Sequence, residues 1–235
     1  MKAVILAGGK GTRLKPYTTV IPKPLVPVGE RAIIDILITR LVTCGVDEVY
    51  ICLNHFAEII MAYLGDGTKF GIKINYSLEE EPLGTVAPIG LIQGLPENFL
   101  VMNGDLLTDL DFKELFSVHI ARNALLTVST YHRTTKIDFG VLEMDPANNK
   151  VTGFREKPEY SFNVSMGVYA MNRKVLDYVP RNKFFGFDNL MLGLLEKKIP
   201  VNVFPYSGYW LDIGRPDDYE KANELFKVNR NLFLP

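Results

Sequence analysis

In the first half of the chain, short apolar runs alternate with stretches in which apolar residues recur every three or four positions. The run from Met1 to Ala7 is rich in Val and Ile and predicts a buried strand. Ile33, Leu37 and Leu41 recur at helical spacing and predict a helix over residues 31–44, with Gly45 as its C-terminal cap. The same pattern predicts strands over residues 48–53, 72–76 and 99–102, a helix over residues 55–64, and a weaker helix ending near Gly94.

The second half of the chain is richer in strands. The pattern predicts strands over residues 125–131, 140–143, 151–154 and 164–171, and helices over residues 188–198 and 216–226. Strands that alternate with helices imply βαβ units, so we predict an α/β fold with a Rossmann-like, doubly wound, mixed but mostly parallel sheet. No linker, repeat or low-complexity stretch interrupts the pattern, which favours a single domain over residues 1–235.

Composition and charge narrow the function classes. The chain has 235 residues with 26 Lys and Arg against 27 Asp and Glu, so no general field attracts nucleic acid or an anionic membrane. Apolar runs reach about six residues, far below the ~20 that a spanning helix needs. The first run stops at Gly8-Gly9, which is unlike a signal peptide, and Cys44 and Cys52 offer neither a disulfide framework nor a metal-ligand spacing. We expect a cytoplasmic protein.

A glycine-rich loop, Gly8-Gly9-Lys10-Gly11-Thr12-Arg13, follows the first predicted strand. Its backbone N–H groups can converge on an anion without side-chain obstruction. The loop has neither the Gly-x-Gly-x-x-Gly spacing of dinucleotide folds nor the Walker spacing of a P-loop. Taken alone, it is equally a tight turn. Arg13 and Lys23 add two cations nearby, and these suit a triphosphate.

Several motifs follow one another along the chain: Gly8 to Thr18, Pro22 to Leu25, Glu81 to Thr85, Asn103 to Asp105, Phe154 to Pro158 and Tyr209 to Pro216. Together they resemble the signature of sugar-1-phosphate nucleotidylyltransferases. The resemblance is closest to mannose-1-phosphate guanylyltransferase-like members without a C-terminal appended domain, and it covers residues 1 to about 225. It implies the nucleotide-diphospho-sugar transferase fold, with a nucleotide half over about residues 1–110 and a sugar-phosphate half over about residues 111–235.

The resemblance implies that a sugar-1-phosphate attacks the α-phosphorus of a nucleoside triphosphate and that pyrophosphate leaves. Arg13 is expected to hold the β- and γ-phosphates, Lys23 the α-phosphate and Lys157 the sugar phosphate. Asp105 and Asp212 are expected to share a Mg²⁺ ion, a hard cation that prefers oxygen ligands; each Asp is equally a turn residue when taken alone. The other expected nucleotide contacts are Leu6, Ala7, Gly8, Gly9, Gly11, Thr12, Glu81, Pro82, Gly84, Thr85, Asn103 and Gly104. The other expected sugar contacts are Gly140, Glu156, Ser165 and Gly167.

Glu81 is the residue from which we predict the base. Family members that handle thymidine or uridine commonly carry Gln in this loop, whose amide both donates and accepts hydrogen bonds, whereas a carboxylate only accepts. Guanine presents N1–H and its N2 amino group side by side, so an ionised Glu81 can accept from both, and we expect GTP. The alternative is that Glu79, Glu80 and Glu81 form an exposed acidic run that contacts no base.

The sugar and several other functions stay open. Ser165-Met166-Gly167 stands where many guanylyltransferases carry Asn-Ala-Gly, and Arg155 stands where mannose enzymes carry Val, so mannose, heptose, glucose and amino-sugar 1-phosphates all remain candidates. Uridylyl or thymidylyl transfer to a hexose-1-phosphate, and cytidylyl transfer to a phosphorylated non-sugar, also remain. A non-catalytic nucleotide-sugar-binding regulator is disfavoured, since such relatives tend to lose the charged residues that this chain keeps. The expected product serves polysaccharide biosynthesis, and a homo-oligomer is left open.

Overall fold

A seven-stranded sheet forms the centre of the protein, which is described here from a computed structural model over residues 1–234. The strands in chain order are β1 (Lys2–Leu6), β2 (Pro27–Val28), β3 (Arg31–Ala32), β4 (Glu48–Leu53), β5 (Lys73–Leu78), β6 (Asn98–Asn103), β7 (Leu106–Thr108), β8 (Leu126–Lys136), β9 (Val141–Asp145), β10 (Lys150–Arg155), β11 (Glu159–Asn172), β12 (Asn202–Tyr206) and β13 (Trp210–Asp212). The α-helices are α1 (Ile33–Thr43), α2 (Ala57–Leu64), α3 (Phe112–Ala121), α4 (Phe187–Glu196) and α5 (Pro216–Phe233).

The strand order of the central sheet is β12-β8-β11-β6-β1-β4-β5. Neighbouring strands are parallel except where β11 pairs with β6 and with β8. The predicted mixed, mostly parallel, doubly wound sheet is therefore confirmed. From β1 the chain passes to β4 on one side, whereas β6 lies on the other side of β1. The sheet thus has a switch point next to the carboxyl end of β1, the place where open α/β sheets bind ligands.

Strand β1 is buried on both faces of the sheet, which explains why its sequence is a continuous apolar run. Ala3 and Ile5 pack into one hydrophobic cluster with residues of α1, including Leu37. Val4 points to the opposite face and packs with a second cluster that includes Phe99. Helices therefore cover a sheet whose first strand is held rigidly, and the loop that follows β1 starts from a fixed point.

A third hydrophobic cluster ties the C-terminal region to the glycine-rich loop. Leu14, which follows that loop, is fully buried with Leu107 of β7, Ile213 beyond β13 and Phe226 of α5. Strands β7 and β13 form a separate two-stranded antiparallel sheet. These contacts place residues from the last third of the chain next to the loop that follows β1. Within residues 1–234 there is no helix of sufficient length and apolar character to cross a membrane.

Several elements differ from the sequence predictions, which did not include strands β2, β3, β7, β12 and β13. The prediction of a weaker helix that ends near Gly94 is wrong, because the segment forms only a short 3-10 helix over Ala87–Leu91, with Pro88 in its first turn. Helix α3 was not predicted. It begins after Asp111, whose side chain accepts hydrogen bonds from the backbone N–H groups of Lys113 and Glu114 and so caps the helix.

Candidate active site

A cleft of about 460 Å³ opens where the parallel strands β1, β4, β5 and β6 end. Every residue that the sequence predicted as a nucleotide contact lines this cleft, except Glu81. Lys23 and Asp105 also line it, whereas Lys157, Asp212 and the predicted sugar contacts lie outside its lining. One cleft thus unites the glycine-rich loop with the Asn103-Gly104-Asp105 segment.

The shape of the glycine-rich loop depends on Gly11. Its φ of +61° lies in the left-handed region, and a Cβ atom there would approach Cβ of Lys23 and Cγ2 of Thr18 to 3.1 Å. The Thr18 hydroxyl donates a hydrogen bond of 2.7 Å to the carbonyl oxygen of Gly11. The chain after the loop therefore packs closely on it, and Lys23 lines the cleft.

Lys23 lies close to two carboxylates, those of Asp105 and Asp212. Its ammonium group forms an ion pair with Asp105, and its Nζ atom lies 4.0 Å from Oδ1 of Asp212. The Lys23 and Asp105 side chains are largely buried, at 11% and 19% exposure. The two residues predicted to bind metal are therefore neighbours in space although more than one hundred positions separate them in the chain.

The backbone holds the two carboxylates together. In the two-stranded sheet, Asp212 is paired with Leu106, the residue after Asp105. The N–H group of Ile213 donates a hydrogen bond of 3.1 Å to the carbonyl oxygen of Asp105. One buried oxygen of each carboxylate, Oδ1 of Asp105 and Oδ1 of Asp212, accepts no hydrogen bond from residues 1–234.

The electrostatics of Asp212 reflect this crowding. Burial raises the pKa of its carboxyl group, and the neighbouring Asp105 raises that pKa further, while Lys23 and Arg13 oppose the rise. The backbone of Gly214 lies beside Arg13, since a Cβ atom on Gly214 would be 3.5 Å from Nη2 of Arg13. A cation held between the carboxylates would favour their charged forms.

The acidic residue that reaches the cleft from the loop after β5 is Glu79, and Glu81 is exposed outside the cleft lining. Oε2 of Glu79 accepts a hydrogen bond of 2.9 Å from the N–H group of Leu83. A Cβ atom on Gly8 would lie 3.0 Å from Oε1 of Glu79, so this carboxylate borders the glycine-rich loop. Burial raises the pKa of Glu79. Of the two residues, Glu79 lines the cleft and the predicted Glu81 does not.

Three predicted sugar contacts meet at the β9–β10 hairpin. Nζ of Lys157 lies 3.9 Å from Oε1 of Glu156, and both side chains are more than half exposed. A Cβ atom on Gly140 would lie 3.3 Å from Oε2 of Glu156 and 2.5 Å from the ring of Phe154. The hairpin therefore presents an acid and a base side by side.

The other two predicted sugar contacts lie at an irregularity in β11. The pairing of β11 with β8 shifts register between Ser165 and Tyr169. Ser165 Oγ donates a hydrogen bond of 3.2 Å to the Tyr169 hydroxyl and accepts one of 3.3 Å from the N–H group of Gly167. A Cβ atom on Gly167, whose φ is +69°, would lie 2.5 Å from Nδ2 of Asn103. Gly167 therefore lets β11 approach the cleft residue Asn103.

The sequence analysis missed two contributors to the cleft from the second half of the chain. Phe184 and Gly214 both line it. Gly214 lies in the motif Tyr209 to Pro216, two residues after Asp212, so the motif could have indicated its position near the proposed metal ligand. Phe184 lies in a segment between β11 and α4 without helical or strand periodicity, and its only signal is a pair of adjacent aromatic residues with Phe185.

Comparison with known proteins gives relatives that match across the chain. A uridylyltransferase for UTP and glucose-1-phosphate from Synechocystis is 32% identical over 100% of this chain and 66% of its own length. A mannose-1-phosphate guanylyltransferase from Arabidopsis thaliana is 35% identical over 96% of this chain and 64% of its own length. The crystal structure of HddC from Yersinia pseudotuberculosis, complexed with GMP-PN, is similar with a TM-score of 0.72 and 29% identity, covering 96% of this chain and 99% of that one.

The chain spans 64% to 66% of the length of these two curated relatives. Residues 2–228 match the family described as Nucleotidyl transferase. This family match agrees with the resemblance found in the sequence motifs and with the observed sheet. The chain therefore belongs to the nucleotidyl transferase family.

Proposed function

We propose that this chain transfers a nucleotidyl group from a nucleoside triphosphate, preferentially GTP, to a sugar-1-phosphate. An oxygen of the sugar phosphate attacks the α-phosphorus, the bond between the α-phosphorus and the bridging oxygen breaks, and pyrophosphate leaves with the electron pair. Both reactants are anions, so catalysis requires cations at the reacting phosphates and an in-line arrangement rather than a covalent intermediate.

The observation that carries the proposal is the composition of the single cleft. Arg13 and Lys23 line it together with the backbone of the glycine-rich loop, and Asp105 lies in ion-pair contact with Lys23. Two cations and converging N–H groups suit a triphosphate. We assign Arg13 to the departing β- and γ-phosphates and Lys23 to the α-phosphate, where its charge opposes the negative charge that grows during attack.

The donor set near Lys23 fits Mg²⁺. Asp105 and Asp212 each carry a buried oxygen without a hydrogen-bond donor in residues 1–234. A third metal-ligating side chain does not join them in the described part of the chain. Mg²⁺ commonly binds through one or two carboxylates together with substrate phosphates and water. When bound, the ion would neutralise phosphate charge and orient the reacting groups.

The sugar phosphate is assigned to the hairpin and to β11. Lys157 supplies a cation for the incoming phosphate, and Glu156 beside it can accept hydrogen bonds from sugar hydroxyls. Gly140 and Gly167 let the side chains of Phe154 and Asn103 pack directly against the backbone beside this site. Ser165 is engaged with Tyr169, so a sugar hydroxyl at this position competes with an internal hydrogen bond.

The proposed preference for GTP is supported by Glu79 rather than Glu81. Glu79 lines the cleft, and its Oε1 atom accepts no hydrogen bond from residues 1–234, while its Oε2 atom accepts from Leu83. An ionised carboxylate can accept both the N1–H and N2–H donors of guanine, whereas it would face the carbonyl oxygens of uracil or thymine. A 35% identical relative that acts as a guanylyltransferase supports the same preference.

A uridylyl transfer to a hexose-1-phosphate is the second candidate. The observation that favours it is the Synechocystis uridylyltransferase, which is 32% identical over the whole of this chain. The site residues for phosphate and metal would serve either nucleotide. The choice between GTP and UTP therefore depends on the base end of the cleft, where Glu79 lies.

Pyrophosphate release from a panel of substrates tests the proposal. GTP, UTP, dTTP, CTP and ATP are each combined with mannose-, glucose-, glucosamine- and heptose-1-phosphates in the presence of Mg²⁺. We expect release with GTP and one of these sugar phosphates. Asp105→Asn, which keeps the shape of the side chain and removes its charge, is the inactive control and should release at least about 100-fold less. Asp66→Asn, an exposed substitution outside the cleft, should retain activity.

Each outcome of the panel distinguishes one candidate function from another. Release with UTP or dTTP alone would replace the GTP preference and keep the reaction. Release with none of these sugar phosphates, but with CTP when phosphocholine is added to the panel, would replace the sugar phosphate as the acceptor. Nucleotide binding without any release would indicate a regulator. Absence of nucleotide binding would overturn the proposed function.

A further inference from the structure

Phe184 is an exposed aromatic residue in the lining of the cleft. Its side chain is 69% exposed, yet it lines the nucleotide cleft. Among residues 1–234, it is also the one aromatic residue in the cleft lining. Exposing a large apolar ring to water is unfavourable, because its burial would contribute about 1.5–3 kcal/mol. A cleft position makes that surface available to a ligand.

The segment that carries Phe184 is fixed to the loop that carries Glu79. The N–H group of Phe185 donates a hydrogen bond of 2.8 Å to the carbonyl oxygen of Leu83. In return, the carbonyl oxygen of Phe185 accepts hydrogen bonds of 3.1 Å and 3.2 Å from the N–H groups of Val86 and Ala87. Three backbone hydrogen bonds therefore hold the residue next to Phe184 against this loop.

Close packing reinforces the same attachment. Gly84 has a φ of +92°, and a Cβ atom there would lie 2.8 Å from the carbonyl oxygen of Phe185. The N–H group of Phe187 donates a hydrogen bond of 2.8 Å to Oγ1 of Thr85. The contacts of Phe185 and Phe187, the residues that follow Phe184, thus limit where its backbone can go and keep it at the edge of the cleft.

From this arrangement we infer that Phe184 is a binding residue whose ring packs against the nucleobase of the bound nucleotide. The inference rests on the proposed function and deepens it. Stacking on an aromatic side chain tolerates any base, because every base has a π-face. Phe184 therefore supplies affinity for nucleotides in general, whereas Glu79, which reaches the cleft from the loop paired with this segment, selects among bases through hydrogen bonds.

Nucleotide affinity of Phe184 variants tests the inference. Binding of GTP and of inorganic triphosphate is measured by calorimetry for the wild type, Phe184→Ala and Phe184→Trp. We expect Phe184→Ala to bind GTP about tenfold more weakly. Its affinity for inorganic triphosphate, which has no base, should be unchanged. Phe184→Trp keeps an aromatic face and should restore GTP affinity to within about twofold of the wild type.

A matched control separates the role of this position from a general effect of removing an exposed ring. Phe162 in β11 is 54% exposed and does not line the cleft, so Phe162→Ala should bind GTP as the wild type does. Equal GTP affinity in the wild type and Phe184→Ala would overturn the inference alone. A parallel loss of GTP and inorganic triphosphate would also overturn it, since the ring would then support only the loop. If the wild type bound no nucleotide, the proposed function would fail as well.

Discussion

Nζ of Lys23 lies 4.0 Å from Oδ1 of Asp212, a carboxylate at the other end of the sequence. The same ammonium group forms an ion pair with Asp105. Lys23 is therefore the shared counter-ion of both proposed metal ligands. We infer that a divalent cation entering without nucleotide must compete with this ammonium group, whereas a triphosphate offers Lys23 a new partner at the α-phosphate.

Lys23→Met tests this competition. The substitution keeps an unbranched side chain that is one atom shorter and removes its charge, so Asp105 and Asp212 repel each other without a neighbouring ammonium group. In the nucleotide-free protein, we expect Mn²⁺, used as a probe for Mg²⁺, to bind at least about tenfold more tightly, as measured by calorimetry. Turnover should fall, because the α-phosphate loses its cation.

The matched control for this prediction is Lys10→Met. Lys10 lies in the same glycine-rich loop, is exposed and does not line the cleft. It should leave the affinity for Mn²⁺ and the turnover unchanged. Identical Mn²⁺ affinity in Lys23→Met and the wild type would show that the ammonium group does not compete with the metal.

Base preference gives a second prediction, which compares two acidic residues of one loop. Glu79→Gln keeps an oxygen that can accept from the N–H group of Leu83, so the loop should keep its shape. Its amide both donates and accepts, and the ratio of kcat/KM for GTP to that for UTP should fall by about tenfold. Glu81→Gln changes the same functional group outside the cleft lining and should leave this ratio unchanged.

Steady-state kinetics with both nucleotides checks this comparison. A fall in the ratio for Glu81→Gln, with no change for Glu79→Gln, would show that Glu81 and not Glu79 selects the base. A ratio that neither substitution changes would mean that groups other than these carboxylates select the base.

The sequence predicted most of the central sheet, because the parallel strands β1, β4, β5 and β6 are short runs rich in apolar residues. Strand β12, which is parallel to β8, was not predicted. Strand β4 occupies the predicted residues 48–53. The phosphate end of the cleft was also predictable, since the glycine-rich loop and Asp105 directly follow strands and parallel strands end at one edge of a sheet. Asp212 reached this edge through pairing of β13 with β7, two short strands that the pattern did not predict.

The base end of the cleft could not be read from the sequence in the same way. Three consecutive acidic residues, Glu79, Glu80 and Glu81, offer identical chemistry, and only the end of β5 at Leu78 decides which of them faces the cleft. Phe184 comes from a different half of the chain, and its position depends on long-range backbone hydrogen bonds with the loop after β5. Neither feature has a local pattern.

Gly167 provides a third prediction, which links backbone conformation to the cleft. Its φ of +69° disfavours any side chain, and a Cβ atom would lie 2.5 Å from Nδ2 of Asn103. Gly167→Ala should lower the free energy of unfolding by about 1–3 kcal/mol and raise the KM for nucleotide, because Asn103 must move. Urea unfolding and steady-state kinetics measure the two effects.

Gly193 in α4 offers the opposite case as a control. A Cβ atom there meets nothing within 4 Å, and the residue is helical. Gly193→Ala should raise the free energy of unfolding by about 0.5–1 kcal/mol without changing the KM for nucleotide. Equal stability changes in the two variants would argue against strain at Gly167.

His119 gives a fourth prediction, which concerns pH and stability. Its ring is fully buried in α3, with Nδ1 at 2.9 Å from Oγ1 of Thr127 and Nε2 at 3.2 Å from Oδ1 of Asn98. Burial lowers the pKa of His119 from 6.5 to about 4. Between these two values the unfolded chain binds a proton that the folded protein does not. The free energy of unfolding should therefore be fully retained above pH 6.5 and fall as the pH decreases toward 4.

The size of this loss is about 3 kcal/mol across the window, from the difference between the two pKa values. His119→Gln removes the titrating group, so the slope of its unfolding free energy against pH should be shallower than that of the wild type by about one proton, even if its stability at pH 7 is lower. His132→Gln, a substitution of an exposed histidine in β8, is the matched control and should retain the wild-type slope. Urea unfolding at intervals from pH 4 to 7 measures the slopes. Identical slopes for His119→Gln and the wild type would show that protonation of the buried imidazole does not lower the free energy of unfolding.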